Sequence, residues 1–398
     1  MKRSISILFT LLALTFAGVC AAALPALSVP LIAGGLFSAK ILPGAVTIAG
    51  GFIVGTPITF NGTEAKEAIL DPAFEDPEVT EFHVIVDNIV TKTQIAYAGR
   101  ISKITKKDAG CGNGKTTKTI PMSEKYWDPT PAKIWLTQCA DDLEQTYFTW
   151  AMNTGIKRKD LTDTTFATFA LELMTSAAKE DLIRFAWFGD TEIDEVAEGG
   201  TLGDAADIAY YDIINGFWKQ IFAGVAANKT VHITIDENAE ANYNDQDNLA
   251  ADAAYKIFKG LMEKADKRLI GQPGKTIICT DSLFQNWLAY KESKNLDLSF
   301  VRMDKYFSTD IYRGVKIVSF HAWDRHIRSD FDNGTKYNLP HRAILVDKPN
   351  LKIGIDSGVG GITDFEVFYD KVTELNHFKG GYKVDVKLIH EFMVAAAY

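Results

Sequence analysis

The strongest constraint in the 398-residue sequence is the run from Thr164 to Phe188. Apolar residues recur there at Phe166, Phe169, Ala170, Leu173, Met174, Ala177, Ala178, Ile183, Phe185 and Ala186. Intervals of three and four place them along one side of an α-helix. Asp163 stands before the run as an expected N-cap, and Gly189 follows it as a stop. About 25 residues at a 1.5 Å rise make a rod of roughly 37 Å, long for a globular helix. Its other side carries Glu172, Lys179, Glu180 and Asp181.

Strand signals lie on both sides of this helix. Phe82 to Val86 has strand character, and Gln94 to Thr105 alternates apolar and polar through Ile95, Tyr97, Gly99 and Ile101. A Gly- and Asn-rich stretch (106–115) separates that run from a second β-prone run, Thr116 to Ile120, which predicts a long hairpin. The hairpin is basic and has few residues for a core of its own, so it should lie against something else. Downstream, helices are expected over Tyr210–Ala226, over Leu249–Ala265 and after Asp281-Ser282, which reads as a cap. Strands are expected at Val231–Ile235, Thr276–Thr280, Val315–Phe320, Ala343–Val346 and Leu351–Ile355. Phe365–Tyr369 and Tyr382–Leu388 alternate strictly, the pattern of a sheet with one exposed face. Helices and strands mix without a βαβ repeat, so the fold class is α+β.

Charge is distributed in blocks. The chain is 47% hydrophobic, 23% charged and carries a net charge of −9, which excludes a disordered or collagen-like chain. Four cysteines are too few for a disulfide framework. The acidic balance argues against broad affinity for nucleic acid, which needs basic surface to replace counterions. Residues 64–91 carry −7, 92–125 carry +6, and 160–208 carry −10. The basic hairpin offers Arg100, Lys103, Lys106, Lys107, Lys115 and Lys118. The acidic block offers Glu172, Glu180, Asp181, Asp190, Glu192, Asp194, Glu195 and Glu198. A basic arm and an acidic platform in one chain suit head-to-tail packing between identical copies. The plainer alternative is that both are ordinary charged surface.

No catalytic, cofactor-binding or metal-ligating set emerges. The run Gly271–Thr276 resembles a phosphate loop, but the glycine that motif needs is Leu269, and Lys275-Thr276 leads into a strand. It reads as a turn. His321, Asp324 and His326 fall within six residues, but no partner cluster completes a zinc site, and the segment reads as a solvated loop. His83, His232, His341, His377 and His390 are scattered singly, and structural roles are expected for each. The carboxylate pairs Asp141-Asp142 and Glu180-Asp181 read as solvated surface. No nucleophile elbow and no Cys/His pairing of known spacing occurs.

The amino terminus stands apart. Met1-Lys2-Arg3 precedes an apolar stretch from Ile5 to Phe16 and small residues at Ala21 and Ala23, the pattern of a secretory signal peptide. The length also allows a membrane anchor, and the glycines and prolines of residues 34–57 suit an apolar arm or a removable pro-segment.

An acidic arm, a long hairpin, a long helix ending in Trp187-Phe188-Gly189-Asp190-Thr191, a mixed domain and terminal strands follow one another. This order resembles the major capsid proteins of tailed bacteriophages, the Hong Kong 97-type fold. The His341–Leu351 run HRAILVDKPNL with Lys352–Ile355, the strand Phe365–Tyr369 and the Gly380–Lys387 run GGYKVDVK add to the resemblance, which covers roughly residues 64–398. It implies an N-arm over 64–91, an extended hairpin (E-loop) over 92–125 and a peripheral domain over 126–224 with its spine helix at 164–188. An axial domain over 225–340 follows, and strands 341–398 return to the peripheral domain. It implies a structural protein without enzymatic activity or cofactor, assembling with itself as hexamers and pentamers of an icosahedral shell around phage DNA. Portal, scaffolding and maturation-protease partners, non-specific contact with double-stranded DNA and residence in the virion follow from it; a small-molecule substrate does not. Some members crosslink a Lys to an Asn, and no such set is placed here. Residues 1–63 depart from the pattern and suit a removed scaffolding segment or a buried arm. The alternative is an exported bacterial binding protein or enzyme with a cleaved signal peptide; a cellular encapsulating shell of the same fold is a third reading.

Overall fold

The computed structural model describes residues 81–98, 104–105, 107, 122–144, 152–303, 307–356 and 365–398, all within the unit Thr47–Tyr398. The expectations for residues 1–63 lie outside the described residues. In chain order the elements are strands β1 (Val84–Val86), β2 (Thr93–Ala98), β3 (Met122–Trp127) and β4 (Thr130–Cys139), then helices α1 (Thr165–Phe188) and α2 (Phe217–Ala226). There follow β5 (Val231–Ile233), α3 (Ala253–Lys264), β6 (Lys275–Cys279), α4 (Asp281–Ser293), β7 (Arg302–Met303), β8 (Ser308–Tyr312), β9 (Val315–Ser319) and α5 (His321–Asp330). The chain closes with β10 (Ala343–Asp347), β11 (Leu351–Ile355), β12 (Phe365–Asp370), β13 (Leu375–Leu388) and β14 (Val394–Ala397). The class is α+β, as the sequence implied.

Helix α1 runs 24 residues where the apolar spacing predicted it. Its N-cap is Thr164 rather than Asp163: the Thr164 hydroxyl oxygen accepts the Ala167 N–H at 3.2 Å, the ordinary N-cap bond. Gly189 ends the helix, its N–H donating to the Phe185 carbonyl at 3.1 Å. A Cβ there would stand 2.5 Å from the Ile214 carbonyl oxygen, so the close approach of two backbones requires glycine.

Two sheets flank this helix. In the five-stranded sheet β13 is central, pairing antiparallel with β4 from Leu375↔Cys139 to Val384↔Thr130. Its other edge pairs first with β12 and then with β11, and β1 adds parallel to β11. The seven-stranded sheet has the order β5-β14-β10-β6-β9-β8-β7. Residues 341–398 therefore divide between the sheets: β10 and β14 complete the larger one, and β11 to β13 build the smaller.

Adjacent residues of the larger sheet face opposite cores, as strand alternation requires. Ile278, Val318 and Ile344 join the core of Trp187, Phe217, Trp218 and Trp323. Their neighbours Ile277, Ile317 and Leu345 join the core under Phe258 and Leu261 of α3 and Leu283, Phe284 and Trp287 of α4. Burial on both faces explains why these strands read as nearly continuous apolar runs. A third core sits under the first half of α1, where Phe166, Ala170 and Met174 pack on Phe378 of β13.

Two further expectations need correction. His321–His326 is not a solvated loop but the start of α5, which buries Ala322, Trp323, His326 and Ile327. Its charged residues hid an apolar stripe at helical spacing. Tyr210–Ala226 is not one helix: Ile208–Tyr210 makes a single 3-10 turn and α2 begins at Phe217. Gly216 lies between them, where a Cβ would stand 2.9 Å from the Gly189 nitrogen.

Candidate functional site

Of the hairpin expected over 92–125 the described residues show a base ladder, β2 and β3, paired antiparallel from Thr93↔Trp127 to Ala98↔Met122. Its second strand, as described, is Met122–Trp127; Thr116–Ile120 lies outside the described residues. The ribbon has almost no core of its own, with Met122 65% and Tyr126 42% exposed. It is fixed at its base. Trp127 is buried there against Gly354, where a Cβ would come within 2.9 Å of the indole ring. Lys125 donates to the Leu388 carbonyl at 2.6 Å and to Glu391 at 2.8 Å. The Asp128 N–H donates to the Asp385 carboxylate at 2.7 Å. Tyr97 packs edge-on to His390 at 5.3 Å, and burial pushes its hydroxyl pKa up to about 12.

Of the basic candidates, Lys107 is exposed; Arg100, Lys103, Lys106, Lys115 and Lys118 lie outside the described residues. The acidic candidates divide. Glu180 pairs with Arg325 at 3.1 Å and Asp181 with Arg184 at 2.7 Å. Lys219 bridges Asp190 at 2.9 Å and Glu192 at 3.0 Å. Burial works against the Lys219 ammonium, but the two carboxylates outweigh it and raise its pKa. Glu172, Asp194 and Glu198 are exposed and Glu195 is half-buried, and none of the four forms an ion pair among the described residues. The acidic platform is thus partly neutralised within the subunit by Arg325 and Lys219, partners that the charge blocks along the sequence did not bring out.

A further surface lies on the outer face of the smaller sheet, where β4 was not expected. Trp135 is 46% exposed, with the ammonium groups of Lys133 and Lys379 at 4.0 and 4.4 Å from its ring centre. Its indole N–H donates to His377 at 3.0 Å, and His377 stacks on Phe368 at 5.0 Å. Alternating lysine and aromatic residues along β4 and β13 are the signal that could have found it.

The His/Asp cluster is structural. Asp324 accepts the Asp281 N–H at 2.8 Å and so caps α4; burial, with the Asp281 charge adding to it, raises its pKa to about 7. His326 lies 3.7 Å from Asp330. Gly271–Thr276 is a turn feeding β6, with Lys275 donating to the Gln272 carbonyl at 3.0 Å. Among the described residues no group of three or more His, Cys, Asp or Glu is placed to hold a metal ion. None of the described helices is long and apolar enough to cross a membrane.

No family model matches the sequence, and no curated protein matches it. Solved structures do. The capsid of a native GTA particle is 9% identical, with a TM-score of 0.48, over 85% of this chain and 94% of that one. The satellite phage P4 procapsid is 9% identical, with a TM-score of 0.44, over 79% of this chain and 91% of that one. The holo-SrpI encapsulin complex from Synechococcus elongatus PCC 7942 is 8% identical, with a TM-score of 0.42, over 80% of this chain and 85% of that one.

Proposed function

We propose that the chain is a shell-forming structural protein, the major capsid protein of a tailed-phage type particle, which assembles with itself around DNA. The observation that carries this is the β2–β3 ribbon. It buries Trp127 at its base but exposes Met122 and Tyr126 along its length. A two-stranded ribbon without a core is marginal alone, and another copy of the chain can cover it. In this reading α1 is the spine of the peripheral domain, 64–91 the N-arm and 225–340 the axial domain. Of the 341–398 strands, β11 to β13 are those that return to the peripheral domain, while β10 and β14 join the seven-stranded sheet. Portal, scaffolding and protease partners belong to the same reading, and contact with DNA is non-specific because the subunit is net acidic.

Electron microscopy of the purified chain and of its 64–398 fragment tests this. Shells, or rings of five and six subunits, are the expected result. Monomers at every concentration and salt would sink the proposal. Shells filled with protein rather than nucleic acid would support the encapsulating alternative.

The signal-like amino terminus favours a second reading, an exported monomer. Amino-terminal sequencing of the natural product separates the two. A start at Leu24 in a periplasmic fraction supports export, whereas a start near residue 60 or an intact terminus inside a particle supports the shell.

A further inference from the structure

A cavity of about 450 Å³ opens between the end of α1, helix α2 and the segment leading into β10. Its walls include Phe188, Trp218, Phe222, Phe331 and Leu339, and Arg342 lies among them. Arg342 is only 2% exposed. Its Nε donates to the Leu339 carbonyl at 2.8 Å and its Nη2 to the Asn338 carbonyl at 3.0 Å. The guanidinium lies 5.0 Å from the Trp218 ring centre, 5.4 Å from Phe188 and 5.8 Å from Phe222. No Asp or Glu among the described residues pairs with it. The buried indole N–H of Trp218 has no hydrogen-bond partner either. At the rim, Lys219 is already occupied by Asp190 and Glu192.

A buried cation without a counter-ion is costly, and two carbonyls and three ring faces offset only part of that cost. The guanidinium fork matches a carboxylate, which can accept two parallel N–H bonds. The volume is that of a small-ligand pocket, and the aromatic walls suit an apolar body. We infer that this cavity binds a carboxylate carried on an apolar or aromatic group, with Arg342 receiving the charge. Such a group can come from a free organic acid. It can also come from the chain's own acidic segment, since Asp71, Glu75 and Asp76 surround Phe74 between Pro72 and Pro77.

The inference does not depend on assembly and is tested on the full chain by isothermal titration with 3-phenylpropionate and with its amide. The acid should bind at least about tenfold more tightly than the amide, the range of a hydrogen bond to a charged group. Arg342→Gln should remove that preference. Ala223→Trp, which adds a ring at an exposed position of the cavity wall, should abolish acid binding in a chain whose circular dichroism is unchanged. It decides the matter should Arg342→Gln fail to fold. A peptide spanning residues 69–79 separates the sources. Arg342-dependent binding of the peptide makes the chain's own segment the occupant; binding of the free acid alone makes it a small molecule, and either upholds the site. No binding of the acid even to a full-length chain whose own segment is weakened by Phe74→Ala, equal binding of acid and amide, or acid binding undiminished in Ala223→Trp would overturn it.

Discussion

Lys291 and Asp310 form an ion pair at 2.9 Å with side chains 6% and 0% exposed, and the Trp287 indole N–H donates to the same carboxylate oxygen at 2.7 Å. The pair ties α4 to β8. Removing one partner of such a pair leaves the other charged and buried, so Lys291→Met should cost about 3–5 kcal/mol in urea unfolding. Adding Asp310→Leu should recover much of that loss. A loss below about 1 kcal/mol would mean that the site admits water, as exposed pairs do. Asp324 makes a different demand. Its pKa is raised from 3.8 to about 7, first by burial and then by the charge of Asp281, against the Asp281 N–H bond and Arg328. His321, 3.8 Å from Asp281, and the buried Cys279 are further titratable groups at this joint. Below about pH 4 the Asp324 carboxyl is protonated whether the chain is folded or not. Between about pH 4 and pH 7 only the folded chain keeps the proton, so stability falls as pH rises through that window and levels off above it. The full contribution is at most about 4 kcal/mol. Asp324→Asn keeps an acceptor for the Asp281 N–H and has no proton to lose. The melting temperature of the wild type should therefore fall relative to the variant between pH 4 and 7, and a constant difference across that range would refute the assignment.

Among the elements, the hairpin depends on its base more than on its own pairing. Trp127 is 3% exposed and Lys125 reaches both Leu388 and Glu391. Trp127→Ala removes a large buried ring and should cost about 3–5 kcal/mol. If the ribbon is a separately anchored unit, amide exchange should accelerate first in Thr93–Ala98 and Met122–Trp127 while β4–β13 amides keep their protection. Uniform acceleration would instead place the ribbon inside the main cooperative unit. The same elements show what a sequence can carry. Helix α1 was legible because its apolar residues keep a 3.6 period over six turns, and β6, β9 and β10 because both their faces are buried. Strand β4 was not, because its partner lies some 240 residues away and its one local trace, Lys133 and Trp135 two residues apart beside Pro131, is too short to stand out. Gly380-Gly381 hid the first half of β13, which the sequence marked only from Tyr382. Helix α5 was missed because Trp323, His326 and Ile327 make a stripe too polar to stand out. Arg342 gave no signal at all, since nothing local says that a charged residue beside a strand will be buried.

For the whole molecule, the opposed charge blocks take on a narrower meaning. Glu180, Asp181, Asp190 and Glu192 spend their charge inside the subunit on Arg325, Arg184 and Lys219. Among the described residues, the acidic candidates Glu172, Asp194, Glu195 and Glu198 form no ion pair within the subunit. If hairpin and platform meet between copies, two sets of substitutions should separate. Asp190→Lys with Glu192→Lys places two further ammonium groups beside Lys219 and should lower the melting temperature of the isolated subunit. Glu172→Lys with Asp194→Lys should leave that temperature nearly unchanged and block assembly, as should Lys103, Lys106 and Lys107 all changed to Glu. Combining the two assembly-blocking sets restores opposite charge across the contact and should restore particles in part. Because Glu172, Asp194 and Lys107 are exposed, the block should be strongest at low salt and should weaken as the Debye length shrinks from about 10 Å at 0.1 M to about 3 Å at 1 M. Light scattering across that salt range reads the effect. Normal particles from the lysine-reversed chain at low salt would remove the hairpin–platform contact, while leaving open that the ribbon docks through Met122 and Tyr126 instead.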